Sequence, residues 1–179
     1  MNPLLDFPRE RYDHFLTIAR LQHVQILRAW GGGIPETEEF YDLCDRYGIM
    51  VIQEWPTAWD SHNTQPFEML KETVELNTLR LRNHPSLVMW GAGNESGNPV
   101  GPAIDMMGRL SIELDGTRPF HRGEAWGGSA HNYNCWWDDA HLNHNLNMTS
   151  RFWGEFGIAS LPNMETISRY LPESEQNEW

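Results

Sequence analysis

The chain has 179 residues, of which 40% are hydrophobic and 21% are charged, and its formal net charge is −12. This composition predicts a globular domain with a sizeable core, and no stretch approaches the roughly 18 apolar residues of a membrane span. The acidic excess argues against nucleic-acid binding, which depends on lysine and arginine contacts to phosphate. Nine tryptophans either fill the core or offer flat faces to sugar rings, so carbohydrates are candidate ligands.

The cysteine content and the first residues indicate little about compartment. Cys44 and Cys135 are too few for a disulfide framework, and we expect free thiols. The N-terminal residues lack the basic region and apolar run of a secretory signal peptide, so none is predicted within this segment.

Short apolar runs alternate with helical patterns over the first two thirds of the chain, which is typical of β-α units around a parallel sheet. The spacing predicts strands at residues 23–30, 49–55 and 87–91, and helices at residues 38–47, 66–82 and 103–114. Thr37 is the expected N-cap of the first helix. Gly48 and Gly116 are expected just past the C-termini of the first and third helices.

The pattern changes after Gly116. Strands are predicted at residues 119–123, 132–137 and 151–156, and a last helix at residues 164–171. Only about seven residues lie between Glu124 and Asn132, whereas a parallel crossover needs a dozen or more. We therefore expect an irregular connection without a helix, or that one of these strands is not in the sheet.

Polar and acidic residues recur beside aromatic ones where the predicted strands end. A lone carboxylate in such a position is more often a helix cap or a surface charge, but here the pattern repeats along the chain. The carboxyl ends of the strands form the face on which β/α barrels build active sites. The residues concerned are Arg28, Trp30, Glu54, Asn94, Glu95, Glu124 and Glu155.

Two of these carboxylates suit glycoside hydrolysis, which needs one carboxyl group as acid and one as nucleophile or base. Glu95 lies in the small-residue loop GAGNESG, beside Asn94, which can hydrogen-bond a sugar hydroxyl. Glu155 lies in RFWGEFG, where the aromatic neighbours, among them Trp153, lower the local dielectric. A nearby arginine such as Arg28 would keep a nucleophile ionised.

Three segments in order, RAWGGGIPETEEFYDLCDRYGIMVIQEW, LRNHPSLVMWGAGNES and RFWGEFGIAS, resemble the catalytic domain of glycoside hydrolase family two. The resemblance covers roughly residues 21–171 and is strongest to the β-mannosidase and exo-β-glucosaminidase branches. It implies an α/β fold, a partial (β/α)8 TIM barrel of roughly strands two to seven, with no helix between strands five and six. Residues 1–179 are then expected to be a fragment of one catalytic domain, without barrel strands one and eight and without the flanking β-sandwich domains.

The resemblance also implies roles for individual residues. Glu95 matches the acid/base, Glu155 the nucleophile, and Asn94 the residue that binds the sugar 2-hydroxyl. Arg28 matches the arginine that orients the nucleophile. Further substrate-binding residues are expected at Trp30, Glu54, His131, Tyr133 and Trp153. One departure is Gly154, which stands before the nucleophile where the family commonly has serine.

We therefore expect a retaining exo-β-glycosidase that acts on a glycoside or oligosaccharide by double displacement, without metal or cofactor. Retention predicts carboxyl groups about 5 to 5.5 Å apart. One alternative is a non-catalytic carbohydrate-binding barrel that keeps Trp30, Asn94 and Trp153 as a sugar platform, and another is β-galactosidase or β-glucuronidase specificity. A third is a metal hydrolase that uses the histidines and aspartates of residues 131–144, although their spacing matches no compact metal site.

Overall fold

A computed structural model describes residues 7–138, 141–157 and 161–176 of the chain. These residues divide into two compact units, the first up to residue 130 and the second from residue 131 onward. No helix in the described part of the chain combines the length and the apolar composition needed to cross a membrane.

The first unit alternates helices and strands as the sequence predicts. Its elements in chain order are α1 (Arg9–Leu21), β1 (Ile26–Ala29), α2 (Glu38–Tyr47), β2 (Met50–Glu54), α3 (Phe67–Leu81), β3 (Leu87–Gly91), α4 (Pro102–Asp115) and β4 (Phe120–His121). Gly48 and Gly116 end α2 and α4 in the left-handed conformation, with φ of 68° and 74°, as predicted. Thr37 precedes α2, but its side chain makes no capping hydrogen bond.

The four strands form one parallel sheet in the order β1-β2-β3-β4. Val51 and Trp90 are fully buried, as the nearly continuous apolar runs of β2 and β3 predict for strands covered on both faces. Trp90 stacks on Trp55, with ring centroids 4.9 Å apart and planes 13° apart. Val74 of α3 and Met107 of α4 pack into the same hydrophobic core.

The second unit contains less regular structure. Strand β5 (Ser129–Asn132), which begins at the boundary, and β6 (Phe152–Phe156) form a two-stranded sheet. The short helices α5 (Asn134–Trp137) and α6 (Met164–Ile167) accompany them, with 3-10 turns at Leu142–Asn147 and Glu173–Glu175.

The strand predicted at residues 132–137 is wrong. The strand ends at Asn132, whose side-chain Oδ1 accepts a hydrogen bond from the Asn134 backbone N–H at 3.2 Å. The Tyr133 carbonyl then accepts bonds from the N–H groups of Trp136 and Trp137. These local bonds turn the backbone into α5, because an asparagine side chain competes with the pairing groups of a neighbouring strand.

Other elements also differ from the predictions, most of them by one or two residues at an end. Strand β1 starts three residues later than predicted, because His23 ends the preceding helix with a left-handed φ of 59°. Helix α1 itself was not predicted, although Tyr12 and Leu16 are spaced one helical turn apart and both are buried. The last helix covers Met164–Ile167 and not residues 164–171.

The connection from β4 to β5 contains no helix among residues 122–128, which confirms that prediction. Together with the parallel sheet and its covering helices, it confirms an α/β fold of the partial-barrel type.

A histidine-centred network joins α2 to the turn before β3. His84 Nδ1 lies 2.7 Å from Asp45 Oδ2, and its Nε2 lies 3.1 Å from Glu38 Oε2. Burial lowers the pKa of His84, but hydrogen bonds to Asp45 and Glu38 outweigh it and raise the pKa above its usual value. Burial raises the pKa of Asp45, but its hydrogen bonds to Ser86 and His84 outweigh that effect and lower the pKa. Burial likewise raises the pKa of Glu38, and its hydrogen bonds to Arg80 and His84 outweigh that effect and lower the pKa.

These shifts predict a pH window for the stability that the network supplies. A histidine with a raised pKa stabilises the fold below its unfolded value, about 6.5, and this contribution is lost as the pH rises through the folded-state pKa. The carboxylates contribute above their unfolded values of about 4 and lose their contribution as the pH falls. The network is therefore most stabilising between about pH 5 and pH 6.5.

We predict that His84→Gln lowers stability by on the order of 1 kcal/mol near pH 5.5 and by less near pH 8.5. Thermal unfolding of both proteins across this range measures the difference. His14→Gln, at an exposed position on α1, is the matched control for loss of a histidine and should change the stability by at most about 0.5 kcal/mol. A His84→Gln effect of constant size at every pH would contradict the prediction.

Candidate active site

The carboxyl ends of the parallel strands bring the predicted polar residues of the first unit together. Parallel pairing continues past the strands through isolated bridges that join Ala58 to Asn94 and Asn94 to Glu124. Asn94 and Glu95 therefore lie between the segment that follows β2 and the segment that follows β4. This edge is where the sequence predicts the site.

A half-buried arginine, Arg28, links two other predicted residues, Glu54 and Asn94. Arg28 Nε donates to Glu54 Oε1 at 2.6 Å, and an Arg28 terminal nitrogen donates to Glu54 Oε2 at 3.1 Å and to Asn94 Oδ1 at 2.6 Å. The Gly31 backbone N–H adds a third bond to the Glu54 carboxylate at 2.7 Å. Such a forked arrangement orients both partners, and here it fixes the ends of β1, β2 and β3 relative to one another.

Glu54 lies beneath the surface of this edge. Its side chain is 3% exposed, whereas that of Arg28 is 15% exposed. Burial raises the pKa of Glu54, and the Arg28 guanidinium and the Gly31 amide oppose that rise. Because both of its carboxylate oxygens accept bonds from the guanidinium, Glu54 is placed to hold Arg28.

Two glycines permit the close approach of these segments. A Cβ atom added at Gly93 would lie 2.0 Å from Thr57 Oγ1, and one added at Gly31 would lie 2.6 Å from the Thr57 carbonyl oxygen. No side chain fits at either distance. Gly31 and Gly93 therefore serve backbone packing beneath the site.

Glu95 extends from the edge in an unusual backbone conformation, with φ of +48°. Its backbone N–H donates to the Glu124 carbonyl. Its carboxylate Oε2 accepts bonds from Trp59 Nε1 at 2.9 Å and from Asn94 Nδ2 at 3.3 Å. A left-handed residue that is not glycine costs free energy and occurs mostly at functional sites.

Two further residues at this edge have no role assigned from the sequence: Trp59, which the sequence does not single out, and Glu124, which it marks only as a polar strand end. Trp59 packs edge-on against the partly exposed Trp30, with ring centroids 5.8 Å apart. Glu124 is buried, accepts a bond from the Ser129 hydroxyl, and lies 3.3 Å from His121 Nε2. Burial raises the pKa of Glu124, but these two partners and the charge of Arg28 outweigh it and hold the pKa below its usual value.

The second unit holds the remaining predicted residues. Tyr133 donates its hydroxyl hydrogen to Glu155 Oε2 at 2.5 Å, and His131 Nδ1 lies 3.8 Å from the same oxygen. Trp153 and Glu155 share one face of β6, because alternate residues of a strand point the same way. The Trp153 ring also contacts Phe156 at 5.5 Å between centroids.

The predicted residues thus form two groups, each within one unit. Arg28, Trp30, Glu54, Asn94 and Glu95 belong to the first group, and His131, Tyr133, Trp153 and Glu155 to the second. The carboxyl separation expected for retention stays a prediction. Residues 158–160 of the third motif, and Asp139 of the stretch considered for a metal, lie outside the described residues.

Comparison with known proteins gives a consistent assignment. The sequence model of the family described as glycosyl hydrolases family 2, TIM barrel domain, matches residues 31–177. β-Mannosidase B of Thermothelomyces thermophilus is 28% identical over 92% of this chain and 24% of its own length. The crystal structure of β-D-mannosidase from Dictyoglomus thermophilum is 31% identical, with a TM-score of 0.83 over 94% of this chain and 24% of that one.

A more distant structure shares the fold. The exo-chitosanase of Amycolatopsis orientalis is 18% identical, with a TM-score of 0.69 over 95% of this chain and 22% of its own. The chain therefore spans about a quarter of the length of the relatives it matches.

We predict that Glu54→Gln destabilises the protein by about 3 kcal/mol, because it leaves the largely desolvated guanidinium of Arg28 without its counter-charge. Urea unfolding measures the change. Glu68→Gln is the matched control, since its carboxylate is exposed and lies 4.0 Å from Lys71, and should cost at most about 0.5 kcal/mol. Equal stability of Glu54→Gln and the control would contradict a structural role for the buried pair.

Proposed function

This chain belongs to family 2 of the glycosyl hydrolases, and from that premise we propose that it carries the catalytic pair of a retaining β-glycosidase. Glu95 acts as the acid/base and Glu155 as the nucleophile. The observation that carries the proposal is the set of donors on each carboxylate: Trp59 and Asn94 bind Glu95, and Tyr133 binds Glu155.

The reaction proceeds in two balanced steps. A Glu155 carboxylate oxygen attacks the anomeric carbon and forms a glycosyl ester, while the bond to the leaving oxygen breaks and Glu95 gives that oxygen its proton. Glu95 then removes a proton from water, and the resulting oxygen attacks the same carbon and releases Glu155. The sugar keeps its β configuration after two inversions.

The surrounding residues position the substrate in this proposal. Asn94 offers its amide to a sugar hydroxyl beside the reacting carbon, and Arg28 maintains a positive charge near the nucleophile. Trp30, His131 and Trp153 contact the sugar in this proposal. Glu54 does not contact it and acts by holding Arg28 in place.

The proposed substrate is a terminal β-mannoside, because the β-mannosidases of Thermothelomyces thermophilus and Dictyoglomus thermophilum are 28% and 31% identical to this chain, whereas the exo-chitosanase is 18% identical. The exo-chitosanase makes a β-linked glucosaminide the second substrate to test. β-Galactosidase and β-glucuronidase specificities remain alternatives within the same mechanism. We further propose that the chain is part of a longer protein whose other segments complete the barrel, since its relatives are about four times as long.

A non-catalytic sugar-binding barrel is the rival proposal. It would bind aryl β-mannosides through Trp30, Asn94 and Trp153 without releasing the aryl group. The paired carboxylates favour the enzyme, because a binding platform does not need two of them with separate donors.

We predict that Glu155→Gln in the full-length protein abolishes release of the aryl group from an aryl β-mannoside. Glu95→Gln should lower the rate by about 10² to 10⁴-fold, the usual contribution of an acid/base group. Glu165→Gln is the control, because the Glu165 side chain on α6 is 77% exposed and its carboxylate pairs only with Arg169, on the turn after the helix, among the ion pairs of the described residues. Full activity of Glu155→Gln would refute its assignment, and binding without turnover by the wild type would favour the rival.

A further inference from the structure

Trp59 presents a contact that packing does not explain. The residue is 65% exposed, yet its indole N–H is directed at Glu95 Oε2 at 2.9 Å. A large aromatic side chain is normally buried or held by apolar neighbours. Burial in the hydrophobic core therefore does not account for the position of Trp59, and its polar contacts must be considered.

Backbone bonds fix Trp59 directly beside Asn94 and Glu95. The Trp59 N–H donates to the Asn94 carbonyl at 3.0 Å, and the Asn94 N–H donates to the Thr57 carbonyl at 3.0 Å. This pair of bonds extends the parallel sheet by one step beyond β2 and β3. A change in the loop after β2 must therefore move the Asn94-Glu95 segment as well.

The loop holds an uncommon conformation at this point. Trp59 and Asp60 have φ of 50° and 65°, in the left-handed region that few residues other than glycine adopt. Ser61 Oγ accepts a bond from the Ala58 N–H at 3.0 Å and closes the turn. The indole direction follows from this backbone, and the edge contact with Trp30 restrains the ring plane.

A second contact of the same loop lies on the other side of Glu95. Buried His62 Nδ1 lies 3.4 Å from the hydroxyl oxygen of buried Ser96. The loop thus contacts the residue before Glu95, Glu95 itself and the residue after it. These three contacts can restrain the position of the Glu95 carboxylate.

We propose that Trp59 is a positioning residue for the acid/base, an inference that rests on the proposed function of Glu95. The indole N–H and the Asn94 amide converge on Oε2 and set the rotation of the carboxyl group, so that its proton is directed at the leaving oxygen. Trp59 does not touch the reacting atoms in this role. It acts on the proton-transfer step through Glu95.

This role predicts a dependence on the leaving group. A phenolate of high pKa needs protonation as its bond to the sugar breaks, whereas a dinitrophenolate leaves with little assistance. Loss of the Trp59 N–H should therefore slow hydrolysis of phenyl β-mannoside and spare dinitrophenyl β-mannoside. A general disturbance of the pocket would slow both.

The test compares two substitutions in the full-length enzyme. Trp59→Phe keeps an aromatic ring against Trp30 but removes the donor. Trp59→His keeps a donor, because the imidazole ring overlays the five-membered ring of indole and places Nε2 where the indole nitrogen stood. Thermal unfolding of both variants establishes that each is folded before kcat/KM is measured.

For phenyl β-mannoside, Trp59→Phe should lower kcat/KM roughly 10-fold to 100-fold, the range expected for a hydrogen bond to a charged group. For dinitrophenyl β-mannoside the loss should stay under about 3-fold, and Trp59→His should recover most of the phenyl activity. Equal losses on both substrates, or equal losses in Phe and His variants, would overturn the inference. Failure of the wild type to cleave either mannoside would instead overturn the proposed function, and this inference with it.

Discussion

The half-buried contact of Arg28 with Glu54 and Asn94 holds together the strand ends that carry the first group of site residues. One guanidinium compensates a carboxylate that is 3% exposed, and the same group orients the amide that precedes Glu95. Removal of one partner from a buried ion pair is costly, because the other keeps its charge without water. The ends of three neighbouring strands are consequently held in one arrangement.

The contact with Arg28 helps to fix the position of the Asn94-Glu95 segment. Asn94 is bonded on its side-chain oxygen by Arg28 and on its backbone N–H by the Thr57 carbonyl. Glu95 then adopts its positive φ with its N–H bonded to the Glu124 carbonyl. The backbone conformation thus determines where the Glu95 carboxylate lies. A site held by rigid backbone is positioned more precisely than one on a mobile segment.

Much of this arrangement could be predicted from the sequence, for identifiable physical reasons. Strand β3 was predicted with the bounds Leu87–Gly91 because strands buried on both faces are continuous apolar runs. The meeting of Arg28, Glu54 and Asn94 follows from parallel pairing, which places every carboxyl end at one edge. The strand predicted at residues 132–137 is wrong because the Asn134 N–H donates to the Asn132 side chain in place of strand pairing, and periodicity does not detect such local bonds.

The contribution of Trp59 could not be predicted in the same way. Its contact with Glu95 spans 36 positions and depends on left-handed backbone at both residues, which neither side chain favours. Glu124 was recognised as a polar strand end, but its bonds to Ser129 and His121 depend on how the short connection before β5 folds. Contacts that depend on the path of a loop leave no periodic pattern in the sequence.

In the proposed mechanism, Glu155 forms a covalent bond to the sugar. An activated fluoro-mannoside, whose electron-withdrawing fluorine slows hydrolysis of the glycosyl ester, should inactivate the full-length protein and add one sugar to it. Peptide mass mapping is the direct measurement. The account predicts the label on Glu155, within the segment RFWGEFG. A label on Glu54, Glu95 or Glu124, or an active enzyme that never becomes labelled, would contradict it.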